Sequence, residues 1–133
     1  MSFPGFYLGT FSITTGADGA PLLRGTLVAN VNTNEVSGHA VFSNTNSPPV
    51  TFASTLEGVE HTLGLGGVAQ AFALRGQSSQ QRLGASYIST LTITLPKVWG
   101  TEGTANYTVF NDTPNPEKYT NVPVTIQWVP SND

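Results

Sequence analysis

The sequence predicts an all-β protein in which about eight antiparallel strands form a small closed barrel or a tight sandwich. Apolar residues alternate with polar ones along most of the 133 residues, and turn residues interrupt this alternation regularly. Threonine, which suits strands, occurs 18 times, and asparagine, which suits turns, occurs 10 times. Only two lysines are present, whereas open sheets usually protect their edges with lysine, so the composition favours a closed sheet.

The first half of the chain contains four predicted strands. The first ends at the turn GADGAP, and the second places Leu23, Leu27 and Ala29 on one face. The third follows the turn TNE, and the fourth is long enough to bend at Gly58. In order, these strands are GFYLGTFSITT (5–15), LLRGTLVANVN (22–32), VSGHAVF (36–42) and VTFASTLEGVEHTL (50–63).

The second half contains four more predicted strands. The alanines of the first favour a helix, but the segment is short, glycines flank it and it lacks a helix cap, so we expect a strand. In the next strand, Tyr87 and Leu91 are predicted on the core face and Ile88 on the opposite face, while Ile126 and Trp128 share the core face of the last. In order, these strands are VAQAFALRG (68–76), SYISTLTITLP (86–96), TANYTVFND (104–112) and VPVTIQWVP (122–130).

The composition excludes several classes of protein. The length predicts one domain over residues 1–133, and the absence of cysteine excludes a disulfide scaffold, a thiolate metal site and cysteine catalysis. The five Lys and Arg residues are scattered through a chain of net charge −3, so we expect no nucleic acid partner. No apolar run would span a membrane, and MSFPGFYLGTFS lacks the features of a signal peptide. We therefore expect no membrane partner, and either a cytoplasmic location or export without a conventional signal sequence.

The segment SGHAVFSNTNSPPVTFASTLEG, residues 37–58, predicts a β-hairpin stiffened by Pro48–Pro49. A turn centred on residues 46–48 places Phe42 near Phe52 on the core face. The same register places His39 and Glu57 as diagonal neighbours on the opposite face.

His39 and Glu57, with His61 one step further along the same face, are candidate site residues. A His–Glu pair can begin general base chemistry, and the three side chains together could ligate a metal. Catalysis also needs a nucleophile or metal held by a third partner, and only Ser and Thr surround the pair. We therefore favour solvent-facing polar side chains and predict neither a metal nor a catalytic residue here.

Trp99 is a second candidate ligand-binding residue. It follows a predicted strand, before a glycine-rich turn, and lies between Lys97 and Glu102 in the sequence. An exposed Trp there could stack on a sugar or anchor a partner. The favoured interpretation is a plug that closes the barrel end, a common role of aromatic residues at strand ends.

Two stretches of the chain resemble a bacterial protein family. GAPLLRGTLVANVNTNEVSGHAVFSNTNSPPV is similar to the opening of the family called domain of unknown function 1842, although its proline loop carries an inserted residue. VWGTEGTANYTV and NVPVTIQW are similar to the closing part of that family, so the resemblance spans residues 20–127, except for a middle part, 60–85, that does not align. It implies a small β-structured bacterial protein and brings no catalytic residue, cofactor or substrate.

Two function hypotheses follow. The first is a non-catalytic binding or assembly module, whose surface, rich in Thr, Asn, Ser and Gly, suits a carbohydrate or protein partner. Because few lysines would protect an open edge strand, this hypothesis includes a homo-oligomer. The second is a small barrel enzyme of the isomerase or cyclase type, with a pocket near His39, Glu57 and His61. Neither hypothesis includes a cofactor.

The hairpin generates a prediction that separates its two faces. Phe42→Ala and Phe52→Ala should each lower the free energy of unfolding by about 3–5 kcal/mol, the usual cost of the cavity left by a buried aromatic ring. His39→Ala and Glu57→Ala should each change it by about 0.5 kcal/mol or less, as surface substitutions do. Urea unfolding of the four variants measures this, and a register slip of one residue would exchange the two outcomes.

Overall fold

The computed structural model describes residues 2–17, 19–44, 50–65, 67–78, 86–110 and 117–132. Over these residues the strands form a closed antiparallel barrel in which each strand pairs with its neighbours in sequence and the last pairs with the first. In the described part of the chain, no helix is long and apolar enough to cross a membrane. The strands are β1 (Ser2–Ile13), β2 (Leu22–Asn30), β3 (Glu35–Asn44), β4 (Val50–Leu65), β5 (Val68–Ser78), β6 (Tyr87–Leu95), β7 (Glu102–Phe110) and β8 (Glu117–Asn132).

The pairing of β1 with β8 closes the barrel. Phe11 lies opposite Ile126 and Ile13 opposite Val124, and all four side chains are buried. Of the two architectures that the composition allowed, the structure is therefore the barrel. Every strand has a partner on both sides, so the described sheet has no open edge.

The core consists of the inward-pointing side chains of all eight strands. Because successive residues of a strand point to opposite sides of the sheet, the apolar positions of the alternation fill the interior. The largest fully buried apolar side chains are Phe11, Phe42, Phe72, Ile13, Leu23, Leu27, Ile88, Leu91, Ile93, Leu95 and Ile126. The alanine-rich segment contributes to this core as strand β5, which confirms the strand prediction over the helical alternative.

The predicted hairpin register is confirmed for β3 and β4. Phe42 lies opposite Phe52, and their rings stack with centroids 5.1 Å apart. Phe42 is buried as predicted, but Phe52 is only half-buried, so we expect its truncation to cost less than that of Phe42. The turn at Pro48–Pro49 lies outside the described residues.

The facing predicted for the start of β6 is wrong. Ile88 is fully buried and Tyr87 is half-exposed, the reverse of the expected arrangement. The register between β6 and β7 shifts between Ile88 and Thr90, and such a bulge reverses the facing of the residues before it. The Tyr87 ring instead packs beside Phe110, with centroids 4.9 Å apart.

Gly9 marks a close approach between the backbone of β1 and the side chain of Trp128. It lies opposite Trp128, and a Cβ atom at position 9 would come within 2.6 Å of the indole ring. Since real Cβ contacts are not this short, the Trp128 ring occupies the space that only glycine leaves free.

Gly9→Ala should therefore lower the free energy of unfolding by about 1–3 kcal/mol, the range typical of overpacking. Gly64→Ala is a matched control, because a Cβ atom at Gly64 meets nothing within 4 Å; we expect a change within about 0.5 kcal/mol. Urea unfolding followed by tryptophan fluorescence measures both variants. Equal losses in the two would show that the ring of Trp128 does not restrict position 9.

Candidate functional site

The structure places His39, Glu57 and His61 on the outer surface of the barrel. All three are exposed, and in register they lie opposite Thr55, Arg75 and Ala71, respectively. Within the described residues, no group of three or more His, Asp or Glu side chains is arranged to hold a metal ion. Their geometry is that of solvent-facing side chains, the interpretation favoured by the sequence.

Trp99 belongs to an aromatic cluster at one end of the barrel, with Tyr7, Phe72 and Trp128. The Tyr7 ring stacks on Trp99, with centroids 4.0 Å apart and planes within 5° of parallel. The Trp128 ring meets Trp99 edge-on, and its Nε1 donates a hydrogen bond of 2.9 Å to the carbonyl oxygen of Gly100. Trp99 is half-buried and packs against the core. This position agrees with the favoured interpretation, in which Trp99 closes the end of the barrel.

A buried polar pair holds the turn that carries Trp99. Gln70 is fully buried; its Nε2 donates to Glu60 Oε2 at 3.0 Å, and its Oε1 accepts from the backbone N–H of Trp99 at 2.8 Å. Trp99 has a φ of 55°, in the left-handed region that favours glycine, so these contacts fix a strained turn. The sequence-based predictions did not include this pair, although a polar residue on an inward face is a recognisable signal.

A second aromatic cluster lies at the opposite end of the barrel and includes Phe42, Phe52, Tyr107 and Tyr119. The two tyrosine rings stack with centroids 4.8 Å apart, and the Tyr119 hydroxyl donates a hydrogen bond of 2.6 Å to Glu117 Oε2. Burial, followed by the nearby charge of Glu117, raises the pKa of Tyr107 from 10.0 to about 12. Burial also raises the pKa of Tyr119, with smaller contributions from its hydrogen bond to Glu117 and from the charges of Glu117 and Tyr107. Both phenols are therefore neutral near pH 7.

A concave surface lies on the outside of the barrel, and we call it the outer groove. Its volume is about 910 Å³, and residues of β1 to β6 line it. The apolar side chains Phe6, Val28 and Val59 line it, and each is 40% exposed. Its charged lining residues are Glu35, Glu57 and Arg75.

The apolar surface continues beyond the outer groove onto β1 and β8. Leu8 is 44% exposed and lies directly opposite Val28 on one side and Val129 on the other. Val129 is 58% exposed, the most of the large apolar residues described. A row of exposed apolar side chains therefore crosses three neighbouring strands and ends at the groove.

Of the candidate site residues predicted from the sequence, only Glu57 lines the outer groove. The lining does not include His39, His61 or Trp99. Phe6, Val28 and Val59 are the exposed apolar residues of the lining, and each occupies an outward position, as the burial of Leu27 beside Val28 illustrates. Period-two alternation could therefore have identified each of them as an exposed apolar residue, but not their proximity.

The architecture defines a class of protein: a closed eight-stranded antiparallel β-barrel with a filled core and an apolar groove on its outer face. By sequence, the chain belongs to the family Domain of unknown function (DUF1842), whose profile matches residues 4–114. The match includes the middle part, 60–85, that did not align by motif, and it ends before the second closing motif, NVPVTIQW. Among curated proteins, none matches the chain.

The raised pKa of Tyr107 predicts a pH dependence of stability. Since folding favours the neutral phenol, Tyr107 makes a contribution to the free energy of unfolding that is fully present below pH 10 and is lost as the pH rises toward 12. Tyr107→Phe cannot ionise at this position, so its free energy of unfolding should fall less steeply between pH 10 and pH 12 than that of the wild-type protein. Urea unfolding over this pH range measures the difference. Identical slopes would show that Tyr107 does not titrate with folding.

Proposed function

We propose that the protein is a non-catalytic binding or assembly module that engages its partner through the outer groove. The observation that carries this proposal is the clustering of exposed apolar side chains: Phe6, Val28 and Val59 line the groove, and Leu8 and Val129 extend it. Contiguous exposed apolar surface commonly marks an interaction site.

The polar composition of the outer groove also supports a macromolecular partner. Arg75 and Glu57 accompany the apolar side chains, and Thr90, Thr92 and Ser37 add short polar ones. Interfaces combine an apolar centre with such a polar surround. A chain in which only 10% of residues are charged has few ionic groups to desolvate when this surface is covered.

Glycan binding is the less favoured form of this function. Sugar recognition uses an open aromatic face, whereas the Tyr7 ring stacks on one face of Trp99 and the Trp128 ring lies nearly perpendicular to Trp99, with centroids 4.9 Å apart. Phe6, at the rim of the outer groove, is the aromatic residue that a sugar bound there would meet. A protein surface, which buries many aliphatic side chains at once, suits the valine-rich groove better.

The enzyme hypothesis has less support. A small barrel enzyme needs an enclosed pocket, whereas its proposed residues, His39, Glu57 and His61, face outward and the core side of the same strands is filled. Of the three, only Glu57 lines a concave surface.

A substitution on the groove should abolish binding without unfolding the protein. Native mass spectrometry of the wild-type protein tests for assembly, and a glycan array tests for sugar binding. We expect Val59→Asp to abolish whichever of the two the wild-type protein shows, because the new charge must be desolvated at the contact. Leu63→Asp is the matched control, since Leu63 lies on the same strand, is 41% exposed and is absent from the groove lining.

Circular dichroism establishes that both variants remain folded. A wild-type protein that stays monomeric and binds no glycan would contradict the proposal. So would turnover of a small-molecule substrate that His39→Ala or Glu57→Ala abolishes.

A further inference from the structure

Strands β4 and β5 both contribute outward residues to the outer groove, and two cross-strand pairs of these residues differ in character between the strands. Glu57 on β4 lies directly opposite Arg75 on β5, and Val59 lies directly opposite Ala73. All four are exposed and all four line the groove. One strand thus carries the acidic and the larger apolar side chain, and its neighbour carries the basic and the smaller one.

This pattern is complementary to itself under a two-fold rotation. In a contact with two-fold symmetry the same patch meets itself, so each residue must suit the residue that the rotation brings to face it. For an axis that runs between β4 and β5 and parallel to them, Glu57 of each copy faces Arg75 of the other. The same rotation brings Val59 of each copy over Ala73 of the other, a larger side chain over a smaller one.

We propose that the occupant of the outer groove is a second copy of this chain, held in a two-fold symmetric dimer by reciprocal Glu57–Arg75 pairs and Val59–Ala73 contacts. The inference rests on the proposed function and names the partner of the same surface. A standard interface takes about 800 Å² from each partner, roughly a tenth of the 7839 Å² surface of the chain. Fourteen residues line the groove, and a standard interface uses roughly 20–30 on each side, so the groove supplies the centre and its surroundings the rim.

The charge pairs give this dimer a test by charge exchange. Glu57→Arg leaves arginine at both positions of every copy, and Arg75→Glu leaves glutamate at both. Each variant alone should therefore dimerise at least tenfold more weakly than the wild-type protein. An equimolar mixture of the two should form a mixed dimer with close to wild-type affinity, because every facing pair is again of opposite charge.

Glu102→Arg and Lys97→Glu are the matched controls. Both residues are exposed and lie outside the groove lining, and the two substitutions change the net charge by the same amounts as the groove substitutions. Sedimentation equilibrium from about 1 to 100 µM measures all five proteins and the mixture, and thermal unfolding confirms that each variant is folded. The proposal is supported if the wild-type protein dimerises, each groove variant alone dimerises more weakly, the mixture of the two regains dimerisation, and both control variants behave like the wild-type protein.

Three results would overturn it: a wild-type protein that is monomeric at about 100 µM, dimers insensitive to both groove substitutions, or a mixture that does not restore assembly. If the wild-type protein is monomeric but binds a glycan, and Val59→Asp abolishes that binding, then the proposal of a second copy as the occupant is wrong while the groove remains a binding surface. If it is monomeric and binds no glycan, the proposed function fails as well.

Discussion

The pairing of β1 with β8 is the constraint on which the rest of the structure depends. An unpaired first or last strand would present a row of free N–H and C=O groups, and this chain has too few lysines to protect such an edge. Closure satisfies those groups and divides each strand into one inward and one outward set of side chains. The inward set of β1 and β8, which includes Phe11 and Ile126, then completes a core that neither terminal strand could cover alone.

Closure also changes the physical reason for the proposed self-association. The composition predicts a homo-oligomer because open edges would be poorly protected, but the described barrel has no open edge. Any association must therefore use a face of the barrel, where contacts are made by side chains instead of backbone hydrogen bonds. The exposed apolar side chains beside the outer groove are on such a face, and that is why the proposed contact depends on Val59 and the charge pair.

The sequence was most informative where alternation is uninterrupted. It predicts all eight strands, the barrel as one of two architectures and the register of the β3–β4 hairpin, since each rests on the side-chain period alone. It failed at Tyr87 and Ile88 because a bulge adds one residue without changing the residue types around it. It also failed to find the outer groove, because residues from six strands become neighbours only after the barrel closes.

Strand β4 shows how one segment contributes side chains to both faces of the barrel. Val59 points outward into the groove, while the next residue, Glu60, points inward and accepts a hydrogen bond from Gln70. Gln70 in turn holds the turn of Trp99, which closes the barrel end. Because the two residues lie on opposite faces of one sheet, Val59 can be substituted while the contacts that close the barrel stay the same. With the core filled, the proposed binding depends on the outer face of the barrel.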